Sequence, residues 1–513
     1  MNDTEPKPES SPHLFLYCTA GQWQCAVCAG VVLTALAWPW YREVSYWVAP
    51  VVLLMTITTC HLSFASRLTV PFPHIAILIA GLQYVLAAWL SFYYPPRNPA
   101  YDIGERMPVY LAFGAAATIA YAFGWGAALL GKQGYPCPTT LPPRSLLTEL
   151  DVLFWFGLAC GFSARILPIE SLGFLLLLLA NLRFVGALGR MLVKGQGWEW
   201  RVGLTLLIEI LLATRAGMFH TLLLWCAAGF AVYFYRFRLR NGIVLAWILM
   251  GLLLLPAFQE AKWRVRERIW FGGGMEVSVA GQGSIWNPVL WIQYLGEGLY
   301  RSVTLSWEPE FLSDMAVRYN QGWIINQVMQ VVPQQEPYAR GETLIAAAKS
   351  ALLLRVLAPE KFVAGGKLHM ARFADREMEG ASMNLGYAGE LYANFGTYGG
   401  IAGCFVYAAL LGLAFRWVAS RAERSPLWWV FLPYVGAFAF KAEEGIAEVL
   451  NWILKAVIVS AAVCFFLPAV RAALSGRPDV ATKGRRASGA ERVAGIARWQ
   501  TEPRCRSRAG ENH

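Results

Sequence analysis

The residues best suited to chemistry are arginines in one polar stretch, residues 259–396, of an otherwise apolar chain. Arg318 stands in Met315-Ala-Val-Arg-Tyr-Asn-Gln-Gly322, and Arg355 in Leu352-Leu-Leu-Arg-Val-Leu-Ala-Pro-Glu-Lys361; each interrupts an apolar or helical run. A guanidinium fork matches phosphate oxygens, and at a membrane surface the phosphate to expect is a lipid-linked pyrophosphate. The competing reading is that each arginine snorkels or pairs with a neighbouring glutamate. Arg301 is a secondary candidate of the same kind. Arg215, in Ala213-Thr-Arg-Ala-Gly217, falls at a helix end between two apolar runs, where a charge is costly and marks a functional candidate. Its structural partner would be Glu209, although Arg183 and Glu209 both sit inside apolar helices and are expected to neutralise each other.

Two further residues can act as a general base for a hydroxyl, His369 and Glu390. His369, in Gly365-Gly-Lys-Leu-His-Met-Ala-Arg372, is the only histidine of the polar stretch. Glu390 belongs to Ser382–Gly400 and shares a helix face with Asn394 at i, i+4; Tyr392 lies between them. The glycines that follow, Gly396, Gly399, Gly400 and Gly403, permit close helix approach. There is no HExxH, paired histidine, aspartate cluster, GxSxG or Walker motif, so neither a metal nor another cofactor is expected.

The elements that must hold these residues are membrane helices. The chain has 513 residues, of which 57% are hydrophobic and 15% charged, with a mean hydropathy of +0.42. A soluble fold of that composition would expose very large apolar patches. The expected class is therefore all-α, a polytopic membrane protein with about twelve spans. They fall near 22–40, 44–65, 72–94, 108–130, 147–164, 169–189, 200–214, 217–235, 241–258, 397–416, 427–442 and 446–470. This divides the chain into an N-terminal tail (1–21), nine helices (22–258), the polar segment (259–396), three helices (397–470) and a basic tail (471–513). The first residues are polar, with Glu5 and Glu9, and lack the basic region of a signal peptide, so the first helix is expected to be retained.

Charge sets the orientation. With the N-terminus in the cytoplasm, the inner loops carry Arg67; Lys132 and Arg144; Arg190, Lys194 and Arg201; Arg236, Arg238 and Arg240; Arg416, Arg421 and Arg424. The short outer loops carry only Arg42; Arg97 and Arg106; Arg165; Arg215; and Lys441. That asymmetry places both termini inside and 259–396 outside. Much of the net charge of +11 lies in the tail, read as a cytoplasmic extension rather than a nucleic-acid binder. The outer segment has about as many acids as bases, which also argues against nucleic acid. Its tryptophans (Trp263, Trp270, Trp286, Trp291, Trp307, Trp323) predict packed short helices that cap a cavity. Cys25 and Cys28 form a lone CxxC at the start of an apolar run and are read as buried small residues.

Taken together, Ala213-Thr-Arg-Ala-Gly217, Arg355-Val-Leu-Ala-Pro-Glu-Lys361, and Gly389-Glu390-x-Tyr392-x-Asn394-Phe-Gly396, with a long outer segment before the last helices, resemble the bacterial oligosaccharide repeat-unit polymerases, the Wzy-type O-antigen and exopolysaccharide polymerases, relatives of the O-antigen ligases. The resemblance spans roughly residues 160–465. It implies a glycosyltransferase of the all-helical membrane class in the bacterial cytoplasmic membrane, acting on its outer side without a cofactor. The donor is a glycan on undecaprenyl pyrophosphate; an acceptor hydroxyl attacks its anomeric carbon and undecaprenyl pyrophosphate leaves. By position, Arg215, Arg318 and Arg355 take the pyrophosphate. A chain-length regulator and a flippase are the implied protein partners. The family segment often has Pro before its arginine, where this chain has Leu354. The ligase reading would weight His369 as base; the polymerase reading leaves His369 and Glu390 open. A transporter of lipid-linked glycans is the reading from another class, but it would place charges at mid-membrane on broken helices, whereas here they concentrate outside.

Overall fold

The structure is a computed structural model that describes residues 27–28, 31–32, 35, 46–64, 72–129, 144–166, 170–193, 195–216, 219–237, 241–270, 288–304, 306–352, 366–377, 383–422 and 425–475. Its elements are helices, with no strand among the described residues. The first three are α1 (Val48–Phe64), α2 (Phe72–Tyr93, with a π turn at Leu82–Leu86) and α3 (Met107–Leu129). Next come α4 (Arg144–Ile166), α5 (Glu170–Ala180), α6 (Leu182–Leu192), α7 (Trp198–Ala216), α8 (His220–Phe237) and α9 (Asn241–Trp270). The polar segment folds as α10 (Pro288–Thr304), α11 (Pro309–Tyr319), α12 (Gly322–Val331), α13 (Glu342–Leu352) and α14 (Lys367–Ala374). The chain then runs through α15 (Gly386–Ala422), α16 (Trp428–Val435), α17 (Ile446–Phe466) and α18 (Pro468–Leu474).

Among the described residues, six helical stretches are long and apolar enough to cross a membrane: Phe72–Tyr93, Pro99–Leu129, Arg144–Ala164, Gly173–Leu192, Gly386–Ala422 and Ile446–Phe466. They overlap the spans expected at 72–94, 108–130, 147–164, 169–189, 397–416 and 446–470. Val48–Cys60 and His220–Phe234 are shorter apolar helices within the expected 44–65 and 217–235. The stretch 200–214 is helical as part of α7, which also carries Glu199, Arg201, Glu209 and Arg215. Most of 22–40 lies outside the described residues.

Within the eleventh expected span, 427–442, the regular helix is shorter than the apolar run. Its helix ends at Val435, after Pro433, and residues 436–445 run as turns to Gly445, which opens α17. Both junctions between the polar segment and the bundle also differ from a simple loop boundary. At the first, α9 continues well past residue 258, because Glu260 and Arg264 pair along its surface at i, i+4. At the second, α15 begins eleven residues before the expected span, at Gly386, and is broken at Gly396, whose φ of 70° and ψ of −164° are open only to glycine. A Cβ there would stand 3.0 Å from the Tyr338 hydroxyl.

Among the described residues, two large cores hold the bundle. The first joins α1, α2 and α3 to α15, and the polar segment contributes to it through Trp323, Ile324, Ile325, Val328 and Met329 of α12, and Met370 and Phe373 of α14. Helices α12 and α14 of the polar segment are thus built into the core. The second core joins α4, α5, α6 and α8 to α16, α17 and α18. Ala439, Ala442 and Ile446 belong to the first core, and Tyr434, Ala437 and Trp452 to the second, so the irregular 436–445 stretch straddles both. Helices α3 and α15 approach closely. A Cβ on Gly124 would lie 2.2 Å from the Phe405 carbonyl, and one on Gly412 2.6 Å from Ala128. Of the glycines expected to serve this purpose, Gly400 lies near Phe113 of α3.

Candidate functional site

Breaking a helix at Gly396 frees the carbonyls of the preceding turn, which need donors from elsewhere. The polar segment supplies them: the Ala339 N–H donates to the Ala393 carbonyl (3.0 Å) and the Arg340 N–H to the Asn394 carbonyl (3.1 Å). Asn394 accepts a third bond on Oδ1, from the Gly341 N–H at 2.8 Å. Its Nδ2 donates to Thr343 Oγ1 and to the Glu390 carbonyl, both at 2.7 Å. Glu390 finishes the junction. Its Oε1 accepts from the Thr343 hydroxyl (2.9 Å) and its Oε2 from the Ile446 N–H (2.9 Å), at the start of α17. A carboxylate at a helix N-terminus takes an otherwise orphaned donor and suits the helix dipole. Glu390 and Asn394 do share a face, as their spacing indicated, and each is 1% exposed. They bind α13, α15 and α17 into one joint. Tyr392 packs edge-on against Phe113 and lies beside Tyr338 and Thr397.

Beside this joint lies 436–445. The Ala442 carbonyl accepts from the buried Tyr84 hydroxyl (2.5 Å). Lys441 pairs with Glu444 Oε1 (2.9 Å), and Asn384 Nδ2 donates to the other Glu444 oxygen (3.2 Å). Burial still pushes the Glu444 carboxyl above its ordinary value, against the pull of Lys441. Glu443 accepts from Gln83 Nε2 at 3.3 Å. Gln83 belongs to the π turn of α2, and its carbonyl accepts from the Gln321 N–H (3.0 Å), so the same turn anchors the link between α11 and α12. A π turn inside an α-helix shifts side chains out of register and is frequent at functional sites.

Positive charge gathers here. His220, the first residue of α8, lies in the field of Lys441, Lys262 and Arg318, which come from the 436–445 turns, from α9 and from α11. Arg318 also acts on Tyr319, which lies beside Gln259 and in the field of Glu443. Arg318 is exposed, and among the described residues no carboxylate pairs with it. Lys262 is buried. Four separate stretches of sequence therefore place cations or a titratable imidazole at one seam, next to two glutamates. Such an arrangement can hold a multiply charged anion and place a carboxylate near it.

The other sequence-predicted residues are placed as follows. Arg215 is exposed at the end of α7, just before the helix that His220 opens. Glu209 does not serve it, because Glu209 forms a buried ion pair with Arg183, as expected. Arg301 is engaged by Glu260 (3.1 Å) and Glu308 (3.2 Å). His369 is half-buried on α14, near Arg372 and Glu342; burial pushes its imidazole below the ordinary value. Arg372 in turn binds Glu336 (2.6 Å) and Glu342 (2.9 Å). Since Glu342 and Thr343 are consecutive, His369 and Glu390 approach the same turn of α13 by different side chains. Arg355 lies outside the described residues.

Sequence reasoning missed Lys262, Lys441, Glu443, Glu444, Gln83 and His220. Pro433, Gly436 and the Lys441-Ala-Glu-Glu-Gly445 run were the available signals that the eleventh apolar stretch ends early and turns polar. No protein-family model matches the chain, and neither a curated protein nor a solved structure is significantly similar to it.

Proposed function

We propose that the chain is a membrane glycosyltransferase that joins undecaprenyl-pyrophosphate-linked oligosaccharide units, a repeat-unit polymerase working on the outer face of a bacterial cytoplasmic membrane. The observation that carries this reading is that Arg318, Lys262 and Lys441, from three separate stretches of the chain, all act electrostatically on His220. A departing pyrophosphate develops charge in the transition state, and cations held in place are the means of stabilising it. Arg215 and Arg355 extend the set by their positions along the chain. The topology that goes with this reading has twelve spans, with 259–396 outside and both tails in the cytoplasm.

In this reading Glu390 and Asn394 are positioning residues. They hold the start of α13 and the start of α17 together, and through α17 they hold the 436–445 turns. His369 is tied to the Arg372–Glu342 pair rather than to the cations around His220.

The test is reconstitution of the full chain in vesicles with a lipid-linked repeat unit, following polymer and released undecaprenyl pyrophosphate. Wild-type protein yields both, and Arg318→Ala and Lys262→Ala yield neither while inserting normally. Full-length polymer from both variants would overturn the pyrophosphate assignment. Deletion of the gene should leave single repeat units on the surface; polymer retained on its lipid carrier would instead identify a ligase.

A further inference from the structure

A hydroxyl attacking an anomeric carbon must lose its proton, and the group that takes it must stand within hydrogen-bond reach of the acceptor. The carboxylates around the seam are not equivalent. Glu390 has both oxygens occupied and is 1% exposed. Glu444 has both occupied, by Lys441 and Asn384. Glu260, 2% exposed, is clamped by Arg264 and Arg301. Glu443 differs. It is half-buried, it takes part in no ion pair among the described residues, and its one hydrogen bond, from Gln83, falls on Oε2. Its Oε1 has no donor among the described residues, and its charge reaches Tyr319 together with that of Arg318.

The surroundings of Glu443 supply a second, independent sign of a ligand. Gln83 is 9% exposed, and with its Nε2 on Glu443 its own Oε1 is buried with no partner among the described residues. The Oε1 of Gln321, the residue whose N–H binds the Gln83 carbonyl, is buried and unpartnered in the same way. Buried amide oxygens are seldom left without donors, so these two have acceptor capacity that the described fold does not use. The seam thus has a cationic side, at Arg318 and Lys262, and an acceptor-rich side, at Glu443, Gln83 and Gln321. The first suits a pyrophosphate and the second a sugar bearing free hydroxyls.

We propose that Glu443 Oε1 is the proton acceptor for the attacking hydroxyl, with Gln83 holding the carboxylate and orienting the acceptor sugar; this rests on the polymerase reading above. The acceptor oxygen forms a bond to the donor's anomeric carbon. The bond from that carbon to the pyrophosphate oxygen breaks, and its electron pair leaves with the pyrophosphate. The acceptor's proton passes to Glu443 and from there to water.

The experiment uses the same vesicles and compares Glu443→Gln, Glu443→Asp and Glu443→Ala, the last with and without formate, alongside Arg318→Ala. Glu443→Gln is expected to cut turnover by about 100-fold or more, the usual contribution of a general base. Glu443→Asp should keep part of the activity, and formate should restore part of it to Glu443→Ala, while binding of the lipid-linked substrate is unchanged. Near-native turnover in Glu443→Gln with no turnover in Arg318→Ala would remove Glu443 and leave the polymerase reading standing. Loss in every Glu443 variant without formate rescue, and with substrate binding lost, would overturn the proposal by showing a structural role. No polymer from the wild-type chain would bring down the polymerase reading and this inference with it.

Discussion

The α4–α7 region and the Gly396 seam both place charges among apolar helices, and they treat those charges differently. Around α6, every arginine that the structure buries has a carboxylate. Asp151 serves Arg190 and, at 2.8 Å, Arg201, while Glu209 serves Arg183. Glu149 takes the Ala469 and Val470 N–H groups at the start of α18, much as Glu390 takes that of Ile446. At the seam, Lys441 has Glu444, but Arg318 has no carboxylate among the described residues, and Glu443 has no cation. Ions held in an apolar fold are costly unless paired, so the first region has the form of a scaffold. A cation and a carboxylate left unpaired, both acting on Tyr319, have the form of a site completed by something that arrives.

The sharpest way to break this contrast is to unpair the scaffold. Arg183→Ala leaves Glu209 ionised between helices, with its side chain 9% exposed. Removing one partner of a buried pair costs roughly 3–5 kcal/mol. The expected outcome is a steep fall in thermal stability and in the amount of folded protein, with activity per folded molecule little changed. A stability close to wild type would mean that the pair is solvated, and the contrast would lose its physical basis.

Glu390 tests the joint between the two regions. Glu390→Gln sets an amide N–H2 against either the Ile446 N–H or the Thr343 hydroxyl, which already accepts from Asn394. A stranded buried donor costs about 1–3 kcal/mol. Thermal stability should fall by that order, and turnover should fall with the loss of the aligned 436–445 turns. Unchanged stability combined with abolished turnover would return Glu390 to the role of base.

A smaller effect is expected from His369. Burial lowers its folded pKa, so the folded state disfavours the imidazolium. The docking of α14 is therefore at full strength above the unfolded value of about 6.5 and weakens as pH falls through it. Glu342 is held low by the Arg372 hydrogen bonds, and its contribution is lost only under more acidic conditions. The amide-exchange protection of residues 367–374, relative to the intrinsic rate at each pH, should fall between about pH 7 and about pH 5.5 in the wild type and less so in His369→Gln. An equal fall in both would assign the pH response to other groups.

Much of the scaffold was legible in the sequence, because apolar runs of spanning length and the Arg183–Glu209 pairing follow from burial alone. The Glu390–Asn394 face was legible too, since i, i+4 spacing survives in any helix. The breaks were harder to read. Nothing local to Leu82–Leu86 marks a π turn, and Lys441, Glu443 and Glu444 look like an ordinary loop until Tyr84, Asn384 and Gln83 are brought to them from distant segments. Arg301 shows the reverse error. In sequence it has the same standing as Arg318, but Glu260 arrives from α9 to neutralise it.

The smallest effect on stability should come from the residue with the largest effect on turnover. Arg318 is exposed and pairs with no described carboxylate, so Arg318→Ala removes no native ion pair and should shift stability by no more than about 0.5 kcal/mol. It also thins the positive field around His220. If an anion completes the site, wild-type protein should be stabilised by inorganic pyrophosphate in a thermal shift assay, and Arg318→Ala should not, because a ligand that binds only the folded state raises its apparent stability. An equal shift in both proteins would place the anion elsewhere. A marked loss of stability in Arg318→Ala without ligand would make Arg318 part of the scaffold, and the difference between the two regions would then be one of exposure rather than of purpose.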